Sequence, residues 1–193
     1  PTARNAVVYP LLPPPNDAAT APTSAPPTNC PMLVNSVRIP CADARSVVDA
    51  LAAVYEDLGA DAARSSLLER TVAELKSRLA KIRLGTDRNL DDNLRYFLEE
   101  SSRHAELEEL YPRLIAAYPA DYVYASRFAR FLKKRERPGE ALAWIEKAYL
   151  LSYGANRLDV ARVRAELLKA LGRSEEAALS LERELKANRT RFP

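Results

Sequence analysis

Glycine and histidine are nearly absent from this chain, whose 193 residues hold five glycines and one histidine, His104. With so little glycine there is no Gly-rich loop to cradle a phosphate, and neither Gly-x-Ser-x-Gly nor His-Glu-x-x-His occurs. A zinc site would need His104 together with Cys30, Cys41 and a carboxylate, and the wide separation of these residues argues against a metal centre. A cysteine–histidine nucleophile pair meets the same obstacle, because the 30-to-41 spacing offers no helix amino terminus to activate a thiolate. No run of about 18 apolar residues exists, so no membrane span is expected. Charge of one sign is not in excess either. The formal net charge is +3, and residues 1–41 carry only Arg4, Arg38 and Asp17, which leaves 27 basic and 25 acidic residues beyond them. That balance describes solvated, salt-laced helices and excludes a general polyanion binder, so nucleic acid is not an expected partner. With no catalytic motif and no cofactor motif legible, the chain reads as non-enzymatic.

What is present divides the chain in two. Ten of the fourteen prolines lie in residues 1–40, including Pro13-Pro14-Pro15 and Pro26-Pro27. Each proline fixes φ and removes a donor, so residues 1–41 are expected to form an extended Pro-rich arm. One apolar island, Val7-Val8-Tyr9-Pro10-Leu11-Leu12, either docks on something or remains an exposed linker. The chain opens on Pro1 without a methionine or a charged-then-apolar leader, as a cleaved mature product or a trimmed chain would. The two cysteines bracket a short apolar stretch. A pair confined to one loop-like segment reads as a Cys30–Cys41 disulfide, contributing about 2 to 3 kcal/mol, and hence as a mark of a periplasmic or secreted protein. Two unrelated thiols in a cytosolic chain are the alternative.

Residues 42–85 read as a helical pair. Val47, Leu51, Val54, Tyr55 and Leu58 recur at helical spacing over about 43–58, and Gly59 ends that helix. Asp61 then caps a second helix to about Ile82, whose Leu68, Val72, Leu75, Leu79 and Ile82 step by four and three. This two-heptad seam either packs inside the bundle or forms a homodimer through helix 61–82. Gly85 and the polar residues after it mark a turn.

From there to residue 193 the sequence repeats itself. Asp121–Leu151 reads as two amphipathic halves joined by a Pro-Gly break, and the second halves beginning at Leu107, Ala141 and Ala177 align at offsets of 34 and 36 residues. The first halves follow with Leu94 and Leu98, Phe128 and Leu132, and Arg164 and Leu168. Self-similarity at this period, two helices to the unit, marks a helical solenoid whose neighbours must stack to bury their apolar faces. In its large-small-large pattern of Phe128, Ala129, Leu132, Ala141, Ile145 and Ala148, the middle unit resembles the tetratricopeptide repeat. The third unit departs at Glu184, where a buried alanine is usual, as the outer face of a terminal helix would. The first departs at Arg95, Leu107 and Leu114. The resemblance implies an all-α, TPR-like α-solenoid in which residues 86–193 form three degenerate hairpins. More loosely, RNLDDNLRYFLE, YGANRLDVARVRAELLKALG and the closing FP resemble the helical tail of bacterial thioredoxin-family proteins. That likeness implies periplasmic thiol chemistry, although the chain has no Cys-x-x-Cys.

In a solenoid of this family the first helix of each pair lines the concave groove. The groove-facing steps are then Asp92, Tyr96 and Glu99; Ser126, Arg130, Lys133 and Lys134; and Arg162, Glu166 and Lys169. Tyr96, Ser126, Arg130, Lys133, Lys134, Arg162 and Lys169 are the candidate partner-binding residues, a basic strip suited to a peptide or protein partner of acidic character. The competing reading of these charges is a solvated helix face. The run Lys133–Arg137 reads as cations at a helix carboxy end. The aromatics Tyr122, Tyr124, Phe128, Phe131, Trp144, Tyr149 and Tyr153 follow helical spacing and are expected mostly in the core. The expected function is a protein-binding scaffold. The competing class is a part of a thiol–disulfide system that uses Cys30 and Cys41.

Overall fold

The computed structural model describes residues 41–191, with side chains over 45–187, all within one compact unit, Ile39–Pro193. The Pro-rich arm, its apolar island and Cys30 lie outside the described residues, and so does the disulfide expectation. Among the described residues there are eight helices and no strand. They are α1 (Cys41–Asp57), α2 (Asp61–Leu79), α3 (Arg88–Glu100), α4 (His104–Ala117), α5 (Tyr122–Lys134), α6 (Pro138–Leu151), α7 (Gly154–Ala170) and α8 (Ser174–Arg191). Local chemistry sets several of their ends. Asp87 caps α3 by accepting from the amides of Asn89 and Leu90, and Asp121 caps α5 through the amide of Val123. Pro138 opens α6 at a position where its missing N–H costs nothing. Cys41 is the first residue of α1, so that helix starts two residues earlier than the sequence spacing indicates and has a cysteine at its amino end after all.

A single turn recurs four times. Gly59, Ser102, Glu136 and Gly172 have φ of 64°, 54°, 58° and 77°, and each closes an odd-numbered helix. The amide after each of them reaches the carbonyl five residues back: Ala60 to Tyr55, Arg103 to Leu98, Arg137 to Leu132 and Arg173 to Leu168, at 2.8 to 3.0 Å. These are the paired bonds of a Schellman turn, which satisfies carbonyls that a helix end would otherwise leave open. α1 and α2 are therefore a hairpin of the same construction as α3–α4, α5–α6 and α7–α8, and the two long helices ahead of the repeats join the array as a fourth unit.

The hairpins share one core. Leu98, Leu132 and Leu168, four residues before the turn, are at most 1% exposed, as are Leu107 and Ala141, five residues after it. Tyr111 stacks on Phe128 at 4.9 Å between hairpins, and Phe128 meets Trp144 at 5.3 Å within one. Burial pushes the Tyr111 hydroxyl up to about 12. Of the aromatics expected in the core, Tyr153 is the exception: it is 71% exposed and meets only the edge of Tyr122. The 61–82 seam is consumed within the molecule, since Leu68, Val72 and Leu75 are buried against neighbouring helices. A homodimer built on that seam would have to unpack this core, so the dimer expectation for helix 61–82 is corrected.

Polar groups are buried where the pattern leads one to expect small residues. Glu184 does not meet water; it is 6% exposed and accepts from the Tyr149 hydroxyl and, at 3.2 Å, from Arg157. Arg95, 4% exposed, occupies the position that Ala52, Ala129 and Ala165 hold in the other hairpins. It reaches Asp92 and Glu99 at 2.9 Å each. Asp91, fully buried, accepts from the Gly85 amide at 2.8 Å and the Tyr118 hydroxyl at 2.7 Å, tying the turn before α3 to the end of α4.

Candidate functional site

Ten residues before each left-handed turn stand Asp49, Asp92, Ser126 and Arg162, and the next helical steps along the same side carry most of the remaining candidates. Register places these side chains in one row across α1, α3, α5 and α7. Ion pairs link the row. Asp92 on α3 meets Arg127 on α5, and Glu99 meets Lys134 at 3.5 Å. Further along, Arg130 on α5 meets Asp159 on α7 and Lys133 meets Glu166, both at 2.5 Å. Arg162 braces the same two acids from within α7, at 3.0 and 2.5 Å. α1 joins through Arg45, which lies 3.5 Å from Asp92 and stacks over the ring of Tyr96 at 3.6 Å from its centre.

The pairs bias protonation in one direction. Hydrogen bonds from Arg162 to Asp159 and from Lys133 to Glu166 hold both carboxyls below their ordinary values. At Asp92 burial works the other way, but the hydrogen bond from Arg95 and the charges of Arg95, Arg127 and Arg45 prevail and lower it. The Tyr96 hydroxyl is raised, by burial first and then by Glu100.

Six of the seven candidate residues reach this face. Tyr96 is half-buried beneath Arg45, whereas Arg130, Lys133, Lys134, Arg162 and Lys169 are partly or fully exposed. Ser126 does not reach it: at 5% exposure its short side chain ends below the longer neighbours that share its helix face. The basic strip is not a row of unattached cations but one side of a charge ladder. Arg45, Arg127 and Asp159 complete the ladder without appearing among the candidates. Their signal was available, since Asp92–Arg127 and Glu99–Lys134 are both separated by 35 residues, close to the repeat period. The run Lys133–Arg137 does close α5, and Arg137 goes on to bridge Glu140 and Glu108 at 2.6 Å each. His104 is the first residue of α4, its ring centre 5.9 Å from that of Phe131.

No family model matches the chain, and no curated protein matches it. Solved structures do. A protein of Podosopora anserina, described as a kinesin light chain with nearly identical TPR-like repeats, superposes with a TM-score of 0.57 at 21% identity, covering 81% of this chain and 79% of that one. A second crystal form of that protein gives 0.57 at 20% identity, over 79% and 78%. The fold is a tetratricopeptide-like helical repeat. MamA of MSR-1 has a TM-score of 0.50 at 20% identity, over 72% of this chain and 74% of its own. At these identities the likeness concerns the fold. The looser resemblance to a thioredoxin-family tail draws no support from these three structures.

Proposed function

We propose that this protein is a binding scaffold that holds an acidic peptide or an acidic surface of a partner protein across the face made by its odd-numbered helices. The observation that carries the reading is the charge inventory of that face. On α3, α5 and α7 seven cations, Arg95, Arg127, Arg130, Lys133, Lys134, Arg162 and Lys169, stand against four anions, Asp92, Glu99, Asp159 and Glu166. The anions hold the cations in ordered positions without cancelling them. A preorganised row of this kind gives an acidic partner register as well as attraction, because less side-chain freedom is lost on binding. Tyr96 adds an aromatic surface at one end of the row. MamA and the TPR-like kinesin light chain repeats share the architecture on which such faces are built. We place the protein in a periplasmic or extracellular setting on the strength of its only two cysteines, Cys30 and Cys41.

The test is titration of a glutamate-rich peptide, followed by fluorescence anisotropy at two salt concentrations, against the chain and against the double variant Arg130→Glu with Lys133→Glu. Binding to the unaltered chain should weaken as salt rises, and the variant should bind at least about tenfold more weakly while its helical signal is kept. Equal affinity of the two proteins for the peptide would remove this face from consideration.

A further inference from the structure

The repeated turn gives each hairpin a common ruler. Counting back twelve, eight and five residues from it gives Leu90, Leu94 and Phe97 in α3, and Tyr124, Phe128 and Phe131 in α5. All six are at most 6% exposed. They are covered because α2 lies against α3 and α4 against α5, the closing helix of one hairpin packing on the opening helix of the next. The same count in α1 gives Val47, Leu51 and Val54, which are 63%, 38% and 49% exposed. α1 thus carries the apolar set that receives a preceding hairpin, and among the described residues no hairpin precedes it.

The other end of the array shows the complementary gap. Thirteen residues after the turn come Val72 in α2 and Ile115 in α4, at 0% and 3% exposure. In α8 that position is Leu185, 62% exposed, with the half-buried Leu181 one turn before it. An ordinary end cap turns a polar face outward, and neither end of this array is fully polar.

We propose that copies of this protein associate head to tail, Leu181 and Leu185 of one copy covering Val47, Leu51 and Val54 of the next, so that α8 meets α1 as α2 meets α3 within the chain. The occupant of the α1 face is a second copy because α8 presents, in the matching register, the apolar positions that the even-numbered helices bury against their successors. A contact between two different surfaces does not close on itself, so association proceeds beyond the dimer. One helix-on-helix contact is at the small end of specific interfaces, below about 1,200 Å² in total, and the assembly is accordingly weak and concentration-dependent.

Sedimentation equilibrium of the 193-residue chain over a concentration series reaching hundreds of micromolar tests this. The weight-average mass should climb from 21.5 kDa and pass twice that value without a plateau. Val54→Glu and Leu185→Glu should each stay monomeric at every concentration, since each leaves one working end and one blocked end. An equimolar mixture of the two variants should form a dimer that stops at twice 21.5 kDa, because one intact end of each remains. A chain that stays monomeric throughout, a plateau at the dimer for the unaltered chain, or a mixture that stays monomeric overturns the proposal. Circular dichroism and the melting temperature of each variant accompany the masses. A marked loss of stability in Val54→Glu would also overturn it, since the α1 face would then be covered within a single chain.

Discussion

Asp91→Ala should be among the most damaging substitutions in this protein, although the residue is remote from the charged face. Its carboxylate is fully buried and serves as the sole described anchor for two donors, the Gly85 amide at 2.8 Å and the Tyr118 hydroxyl at 2.7 Å. Hydrogen bonds to a charged group contribute about 1.5 to 3 kcal/mol each, so the two together bring about 3 to 6 kcal/mol. Against that stands the cost of holding a carboxylate away from water with its second oxygen, Oδ1, left without a partner. Removing the whole group relieves part of that cost, and the net loss is about 2 to 4 kcal/mol. For a folded unit of this size each kcal/mol lowers the melting temperature by about 2 to 4 °C, which places the expected drop at about 4 to 16 °C. Thermal unfolding followed by helical circular dichroism reads it directly. Asp91→Asn keeps the shape and one acceptor but loses the charge, and should fall about midway; Tyr118→Phe removes one donor and should cost about 1 to 2 kcal/mol. The double variant should be less damaged than the sum of Asp91→Ala and Tyr118→Phe, since they share a bond. A drop of less than 2 °C for Asp91→Ala, or equal drops for the alanine and asparagine variants, would refute the assignment of a charge-assisted anchor.

Three further outcomes rest on the same geometry. Ser102→Gly and Glu136→Gly should each raise stability by about 0.5 to 1 kcal/mol in urea unfolding, because both exposed residues hold a left-handed φ that glycine adopts without strain; unchanged midpoints would show that the turns carry no such strain. Gly85→Ala should destabilise, since at φ 90° the added Cβ would lie 3.1 Å from the Cβ of Ala117, and a melting temperature equal to that of the unaltered chain would count against this close approach. Asp92, Asp159 and Glu166 all have carboxyls lowered in the folded state. Their contribution is therefore present above the ordinary carboxylate range and lost as pH falls through it, so the melting temperature should hold from pH 7 to about pH 5 and decline below about pH 4. A melting temperature flat to pH 3 would show that the ladder adds nothing to stability.

Much of this architecture was legible before any coordinate because it depends on local chemistry. Gly59, Asp61 and Asp121 mark helix ends by backbone freedom and by side-chain acceptors, and these work within a few residues of the chain. The stepping of Leu68, Val72 and Leu75 likewise names a buried side whatever lies against it. What could not be read was which partner covers that side: two apolar heptads serve a dimer or a monomer equally well, and α3 decided between them. The fourth hairpin escaped notice for a related reason. From Gly59 to Ser102 is 43 residues rather than 34 or 36, because α2 is long and is followed by a wide turn, so the shared register is lost to a search at fixed period. Two of the four turns also hide, since Ser102 and Glu136 are not residues that announce a left-handed conformation.

The candidate face shows the same division at the level of single residues. Helical spacing placed Arg130, Lys133 and Arg162 on the outside correctly, because an exposed step is a property of one helix. It placed Ser126 there too, in the register of Asp92 and Arg162, and failed because reaching the surface depends on side-chain length and not on register alone. Spacing also could not show that cations on α5 interleave with acids on α3 and α7, an arrangement that exists only once the hairpins stack. That interleaving changes what the face can do. Unpaired lysines and arginines would attract any polyanion diffusely, with little preference for where it lies. Cations fixed by acids at defined intervals must instead exchange one carboxylate for another, and a partner does this well only if its own acids match the spacing between hairpins. The ladder therefore trades attraction for register, and the same four acids that order the face are the groups with which any partner must compete.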